Sequence, residues 1–273
     1  IIIFTNYNKF SKFRAYKDIE YLFFRNPNSV FLGLIFFYYL IIAYQSLFVT
    51  ITGGDAIAGY ATLVKQIFQE GSLPNPDEIK NSRIPYSAYP NLPLLIAANM
   101  NILNSEFSDI LLRFWVPLFS FLSILITYNI SLEVGNSHKS SLYSVLFVLS
   151  SLYFTKQSVI FWPDIFTIFY FLLSTLFLLK YIKNHNIRNL FYSSIFISFS
   201  FLSKYTGIIL FVSLLITLVF SLLSNKLPGK NKADNFKAIL KDKVMLPFLS
   251  FSLIFLIITL PILLWNFINL GDP

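Results

Sequence analysis

Three residues in this chain have the type and placement for acid–base or phosphate chemistry: Asp55, Asp164 and Lys204. Asp55 sits in Gly53-Gly54-Asp55, just past the first long apolar run, and an amphipathic stretch follows it. Asp164 comes after Trp162-Pro163 at the head of another apolar run. Lys204 lies in Ser203-Lys204-Tyr205-Thr206-Gly207, with apolar residues close on both sides. An ionisable side chain where a membrane helix leaves the bilayer is a functional candidate by default. A carboxylate there can take the proton of a hydroxyl nucleophile. An ammonium in a dry site neutralises a phosphate better than one in water. Each residue also has a purely structural reading. Asp55 suits the N-cap of the helix behind it, Asp164 suits the positive end of a helix dipole, and Lys204 can snorkel to the interface.

The elements that position these residues are membrane helices. The chain has 273 residues, 56% of them apolar and only 12% charged. Soluble domains carry about 25% charge, and repeated apolar runs of roughly 20 residues match the hydrocarbon thickness of a bilayer. The absence of cysteine excludes disulfides and thiol chemistry, and His138 and His185 are too far apart in sequence to suggest a metal site. No cofactor is called for. Carboxylates alone can hold a divalent ion, but no ligand cluster argues for one. The chain begins Ile-Ile-Ile and ends Gly271-Asp272-Pro273 directly after an apolar run. It therefore reads as a single membrane module that continues at both ends. No cleavable signal peptide is evident, because the first long apolar run starts only near Ser29 and is too long for one.

Apolar spans read as 29–51, 109–132, 140–155, 164–182, 189–203, 206–223 and 244–266. Residues 1–28 carry Lys9, Lys12, Arg14, Lys17 and Arg25 against Asp18 and Glu20, which places them in the cytoplasm. Residues 91–104 are short and rich in Asn, and decide the rest. If they lie on the outer surface, Lys139, the Lys180–Arg188 group and the six lysines of 224–243 join the N-terminal five, so 15 of the 21 Lys and Arg are inside. If they span, the count is 11 of 21. The positive-inside rule favours the first arrangement. Trp115, Trp162 and Trp265 then fall near the outer boundary, as an aromatic belt would. The expectation is an all-α polytopic membrane protein with about seven transmembrane helices and a large outer loop, 52–108. The basic 224–243 segment is a solvated connection, with no nucleic-acid role.

Within the outer loop, Ile57, Tyr60, Ala61, Val64, Ile67 and Phe68 fall on one helical face, and Gly71 ends the pattern. This predicts an amphipathic helix in the interface, apolar side toward lipid or the other helices. Ser72 to Pro93 is rich in Pro, Asn and Tyr. It reads either as a rigid external loop or as a lid that turns Arg83, Tyr86 and Tyr89 toward a substrate.

A chemistry that fits this short list is sugar transfer from a polyprenyl phosphate. The phosphate leaving group is already a weak base, so no strong general acid is needed. The acceptor hydroxyl needs a carboxylate, the departing phosphate needs a cation, and the lipid tail needs an apolar groove. Asp55, Lys204 and Arg83 among membrane helices meet those requirements.

In these features the chain resembles the GT-C superfamily of membrane glycosyltransferases, in particular the protein O-mannosyltransferase and lipid A aminoarabinose transferase branch. The resemblance is carried by Gly54-Asp55-Ala56 with Tyr60 and Gly71, Tyr89-Pro90-Asn91-Leu92-Pro93-Leu94, Pro163-Asp164, Leu202-Ser203-Lys204-Tyr205-Thr206-Gly207, and Trp265-Asn266-Phe267 with Gly271-Asp272-Pro273. It covers nearly the whole chain, and it is the order and spacing of the pieces that is specific. It implies that Asp55 is the catalytic acid/base residue and Asp164 a second acid shaping the active site. It places Lys204 near the lipid phosphate, with Tyr60, Tyr86, Tyr89, Tyr205 and Arg83 as substrate contacts. The implied partners are a polyprenyl- or dolichyl-phosphate sugar, membrane lipid and an acceptor of unspecified identity, and the implied site is extracytoplasmic. Two departures stand out. Ala56 follows Asp55 where many relatives carry a second acid. Ser87-Ala88-Tyr89-Pro90 lacks the Lys of the aminoarabinose enzymes, which weighs against that sugar.

Two other readings use the same features. A transporter or lipid-linked-sugar flippase would handle the same lipids without transfer, but calls for charge or broken helices at mid-span. None stands out here, and Pro261 lies near the outer end of its span. A non-catalytic scaffold subunit would make Asp55 dispensable.

Overall fold

The computed structural model describes residues 28–49, 56–73, 92–224 and 245–270. The ordered elements there are helices: α1 (Asn28–Phe48), a π-helical turn (Ala56–Ala61) running into α2 (Thr62–Glu70), α3 (Leu92–Asn104), α4 (Asp109–Glu133), α5 (His138–Ser150), α6 (Leu152–Gln157), α7 (Pro163–Asn184), α8 (Ile187–Ser203), α9 (Gly207–Ser224) and α10 (Met245–Leu270). The all-α expectation holds. Among the described residues, α1, α4, α7 and α10 are long and apolar enough to cross a membrane. The other three expected spans coincide with shorter helices. α5 has 13 residues, α8 has 17 and α9 has 18.

The third expected span, 140–155, is divided. α5 stops at Ser150, and Ser151 adopts φ −69° and ψ 116° before α6 begins. The Ser150 hydroxyl bonds the Phe147 carbonyl and the Ser151 hydroxyl accepts from the Phe154 amide. Such local side-chain bonds compete with the helical ladder. They interrupt a run whose apolar composition alone reads as continuous.

Residues 92–104 form one short helix. α3, at 13 residues, is about 20 Å long against a core of about 30 Å, and it packs on α2, α4 and α8. Buried Asn101 locks its exit, with its Oδ1 accepting the Ser108 amide at 2.7 Å. The amphipathic helix after position 55 is present and ends where expected, with Gly71 at φ 67° donating to the Ile67 carbonyl. Its buried side faces protein: Tyr60, Leu63, Val64 and Ile67 enter the same core as Leu94, Val116 and Phe166. Leu63 widens the face read from the sequence: it lies one helical turn before Ile67, beside Val64, on the buried side of α2.

α7 and α8 form an antiparallel hairpin across a turn in which His185 has φ 52° and Asn186 caps α8 through the Arg188 amide. The seam between them is built of small hydroxylated residues. Ser174 Oγ donates to the Ser193 carbonyl at 2.7 Å, and Ser193 Oγ donates back to the Ser174 carbonyl at 2.9 Å. Further along, Ser200 Oγ bonds the Thr167 carbonyl. Small residues let helices approach closely and cross-bond, and these bonds fix the register of the pair. A second core gathers the C-terminal half of α7 with α8, α9 and α10, where Phe211 stacks on Phe255 at 3.9 Å.

Candidate active site

The register of the α7–α8 hairpin decides what meets at its open end. Counting from the paired Ser174 and Ser193, ten residues back along α7 lead to Asp164, and eleven forward along α8 lead to Lys204. At about 1.5 Å per residue the two arrive level. The Lys204 Nζ lies 2.8 Å from Asp164 Oδ1, with both side chains largely but not fully withdrawn from the surface. Asp164 occupies the first turn of α7, behind Pro163, and Lys204 is the extended residue that ends α8. The structure therefore brings Asp164 and Lys204 into direct contact.

Sequence reasoning missed a third partner. Tyr153, on α6, donates its phenolic hydrogen to the same Asp164 oxygen at 3.1 Å. A phenol is protonated at neutral pH and here serves as a donor to the carboxylate. No periodic signal marks Tyr153, because the break at Ser151 is what turns α6 toward Asp164. Behind Tyr153, Gln157 is buried and its Oε1 has no hydrogen-bond partner. The indole Nε1 of Trp162 is likewise buried and unpartnered, under a ring that carries the Lys156 ammonium 5.2 Å from its centre.

The turn carrying Lys204 is tightly specified. The Gly207 amide donates to the Lys204 carbonyl at 2.9 Å. A Cβ on Gly207 would lie 2.5 Å from the Phe201 backbone, so only glycine fits without a shift. Tyr205 packs its ring on Phe201 at 5.5 Å and its hydroxyl accepts from Asn266 on α10. Tyr205 thus anchors the turn to the last helix. Tyr60 is buried in the first core.

Arg113, also missed, is a buried cation one turn into α4. Its guanidinium donates to the carbonyls of Ser46 and Val49 at the end of α1, and its Nε to the Asp109 carbonyl at 3.2 Å. It satisfies carbonyls that a helix end leaves open and holds the chain six residues before position 55. The signal available in the sequence was a lone Arg just inside a predicted span. Asp55, Arg83, Tyr86 and Tyr89 lie outside the described residues.

The opposite end of the bundle is marked by the Glu133–Lys183 ion pair at 3.2 Å. His138 is there, bonded to Tyr128 at 2.7 Å, and so is His185. Neither histidine comes near Asp164. Among the described residues no three His, Cys, Asp or Glu side chains gather as a metal site would need.

The family model for dolichyl-phosphate-mannose-protein mannosyltransferases matches residues 87–265. That stretch is more than half of the chain and contains Asp164, Lys204 and Tyr205. No curated protein and no solved structure matches the chain.

Proposed function

The chain belongs to the dolichyl-phosphate-mannose-protein mannosyltransferase family, and on that premise we propose that it transfers a sugar from a dolichyl- or polyprenyl-phosphate donor to an acceptor hydroxyl at the extracytoplasmic membrane face. The observation that carries this reading is the Asp164–Lys204–Tyr153 cluster at one end of a membrane-helix bundle, inside the matched region. Lys204 supplies the charge that a departing lipid phosphate needs. Asp164 and Tyr153 hold that ammonium in place before the substrate arrives. Asp55 is the base. Its described flanks support this: Val49, six residues before it, is tied down by Arg113, and the helix that begins at Ala56 enters the same core as Phe166, two residues beyond Asp164.

In the step itself, the acceptor oxygen bonds to the sugar's anomeric carbon as the carbon–oxygen bond to phosphate breaks. The acceptor proton passes to the Asp55 carboxylate and the lipid phosphate leaves with the bond's electron pair beside Lys204. The departing phosphate needs no proton. Tyr205, Tyr60, Arg83, Tyr86 and Tyr89 are the remaining candidate substrate contacts.

A radiolabelled dolichyl-phosphate mannose assay in detergent or nanodiscs tests the reading. Asp55→Asn is expected to lower the transfer rate by at least about 100-fold, the usual range for a lost general base. Full activity in that variant would remove Asp55 from the role.

A further inference from the structure

Polar residues within membrane helices are expensive, and those that persist face the bundle interior and find a partner there. Asn266 is such a residue. It lies near the end of α10, in a helix otherwise dominated by Leu, Ile and Phe, and is 3% exposed. Its amide does not reach for the body of a neighbouring helix. Nδ2 donates to the hydroxyl of Tyr205, 61 residues away in the chain, and Tyr205 is the residue that follows Lys204.

Lys204 needs such help. Its ammonium rides on a long flexible stem, and the stem starts from an extended residue, φ −161° and ψ 139°, beyond the last turn of α8. A cation serves a departing phosphate best when it already stands where the charge develops. The tip of the side chain is held by Asp164 at 2.8 Å. At its root, the Lys204 amide donates to the Ser200 carbonyl at 3.2 Å and the Lys204 carbonyl accepts from Gly207 at 2.9 Å. Those bonds are local. They shape the turn without placing it against the rest of the bundle. Placement comes through α10. Phe201, under the Tyr205 ring, packs edge-on against Phe255 at 5.7 Å, and the Tyr205 hydroxyl meets Asn266. The ring contact tolerates sliding. The hydrogen bond is directional and sets a height. We infer that Asn266 is a positioning residue for the donor-phosphate site, acting through Tyr205 to fix where Lys204 stands. This rests on the function proposed above. Three helices then share the work: α7 supplies the carboxylate, α8 the ammonium, and α10 the reference against which the ammonium is set.

A double-mutant cycle separates this role from plain adhesion between helices. Asn266→Leu removes the donor at similar volume. In the otherwise unaltered chain it is expected to lower kcat/KM for transfer from labelled dolichyl-phosphate mannose about tenfold, within the loss that a misplacement of about 1 Å causes. Inhibition by dolichyl phosphate is expected to weaken in parallel. In the Lys204→Met background no ammonium is left to place, so the same substitution is expected to change kcat/KM by less than about twofold. Adhesion alone predicts the same rate loss in both backgrounds together with a lower unfolding temperature. That result overturns the assignment, as does a full rate in Asn266→Leu. Should Asn266→Leu not fold, Tyr205→Phe removes the acceptor from the other side of the bond, and the same cycle decides by the same criteria. An unaltered chain that neither transfers mannose nor binds dolichyl phosphate is a different signature, which removes the function reading and the positioning role with it.

Discussion

Replacing Lys204 with Met separates a structural ion pair from a phosphate-binding one. Unit charges 2.8 Å apart attract by about 6 kcal/mol at an effective dielectric of about 20. Lys204 is 29% exposed and Asp164 17%, and desolvation and solvent screening offset most of that gross attraction. The net contribution of the bridge to stability is about 1 kcal/mol, a few degrees of thermal unfolding at most. The catalytic effect is larger because the leaving phosphate gains charge as the sugar departs. Losing one charge-assisted contact to it costs about 2 kcal/mol, or about 30-fold in kcat/KM. The assay is initial-rate transfer from labelled dolichyl-phosphate mannose over a donor titration, alongside thermal unfolding of the same samples. Lys204→Arg keeps the charge and is expected to recover part of the loss. Asp164→Asn breaks the same bridge, so a purely structural Lys204 predicts equal effects from Lys204→Met and Asp164→Asn. The reasoning is refuted if Lys204→Met stays within about threefold of the unaltered chain, or if the two substitutions give matching kcat and KM.

Two further outcomes follow from the packing. Gly207→Ala places a methyl group 2.5 Å from the Phe201 backbone; the forced shift costs about 1–3 kcal/mol and displaces the Lys204 turn, so transfer falls at least about tenfold while helix content by circular dichroism is unchanged. Arg113→Met strips the Ser46 and Val49 carbonyls of their donor and is expected to lower stability by about 2 kcal/mol in thermal unfolding, with Arg113→Lys recovering only part because an ammonium lacks the planar fork.

That Asp164 and Lys204 lie at the same end of the bundle was legible in the sequence because it depends on span parity: two apolar runs joined by a short turn bring the head of one level with the tail of the next. Their direct contact was not legible, because it depends on the α7–α8 register set by the serine pairs. Gly71 as a helix stop and the shortness of the helix at 92–104 were legible for similarly local reasons, a left-handed cap and a brief apolar run. Tyr153 and Arg113 were not legible. Each acts through a hydrogen bond to another helix, and composition carries no trace of such a pairing. The division of 140–155 escaped for the opposite reason: hydropathy averages over a window wider than the two serines that break the helix. Leu63 entered the core because the buried face of α2 is wider than the stripe read from the sequence; it stands four residues before Ile67 on the same side.

The reciprocal hydroxyl clasp between Ser174 and Ser193 makes the α7–α8 hairpin a lever pinned at its waist. A guest wedged between the tips, at Asp164 and Lys204, cannot splay the two rods along their full length without first unpicking that pin. A second tie, from the Ser200 hydroxyl to the Thr167 carbonyl, lies within one turn of the tips, so opening is confined to that last turn and to the flexing of the lysine's own stem. The half of the molecule beyond the pin, with its ion pair and both histidines, is mechanically insulated from events at the tips.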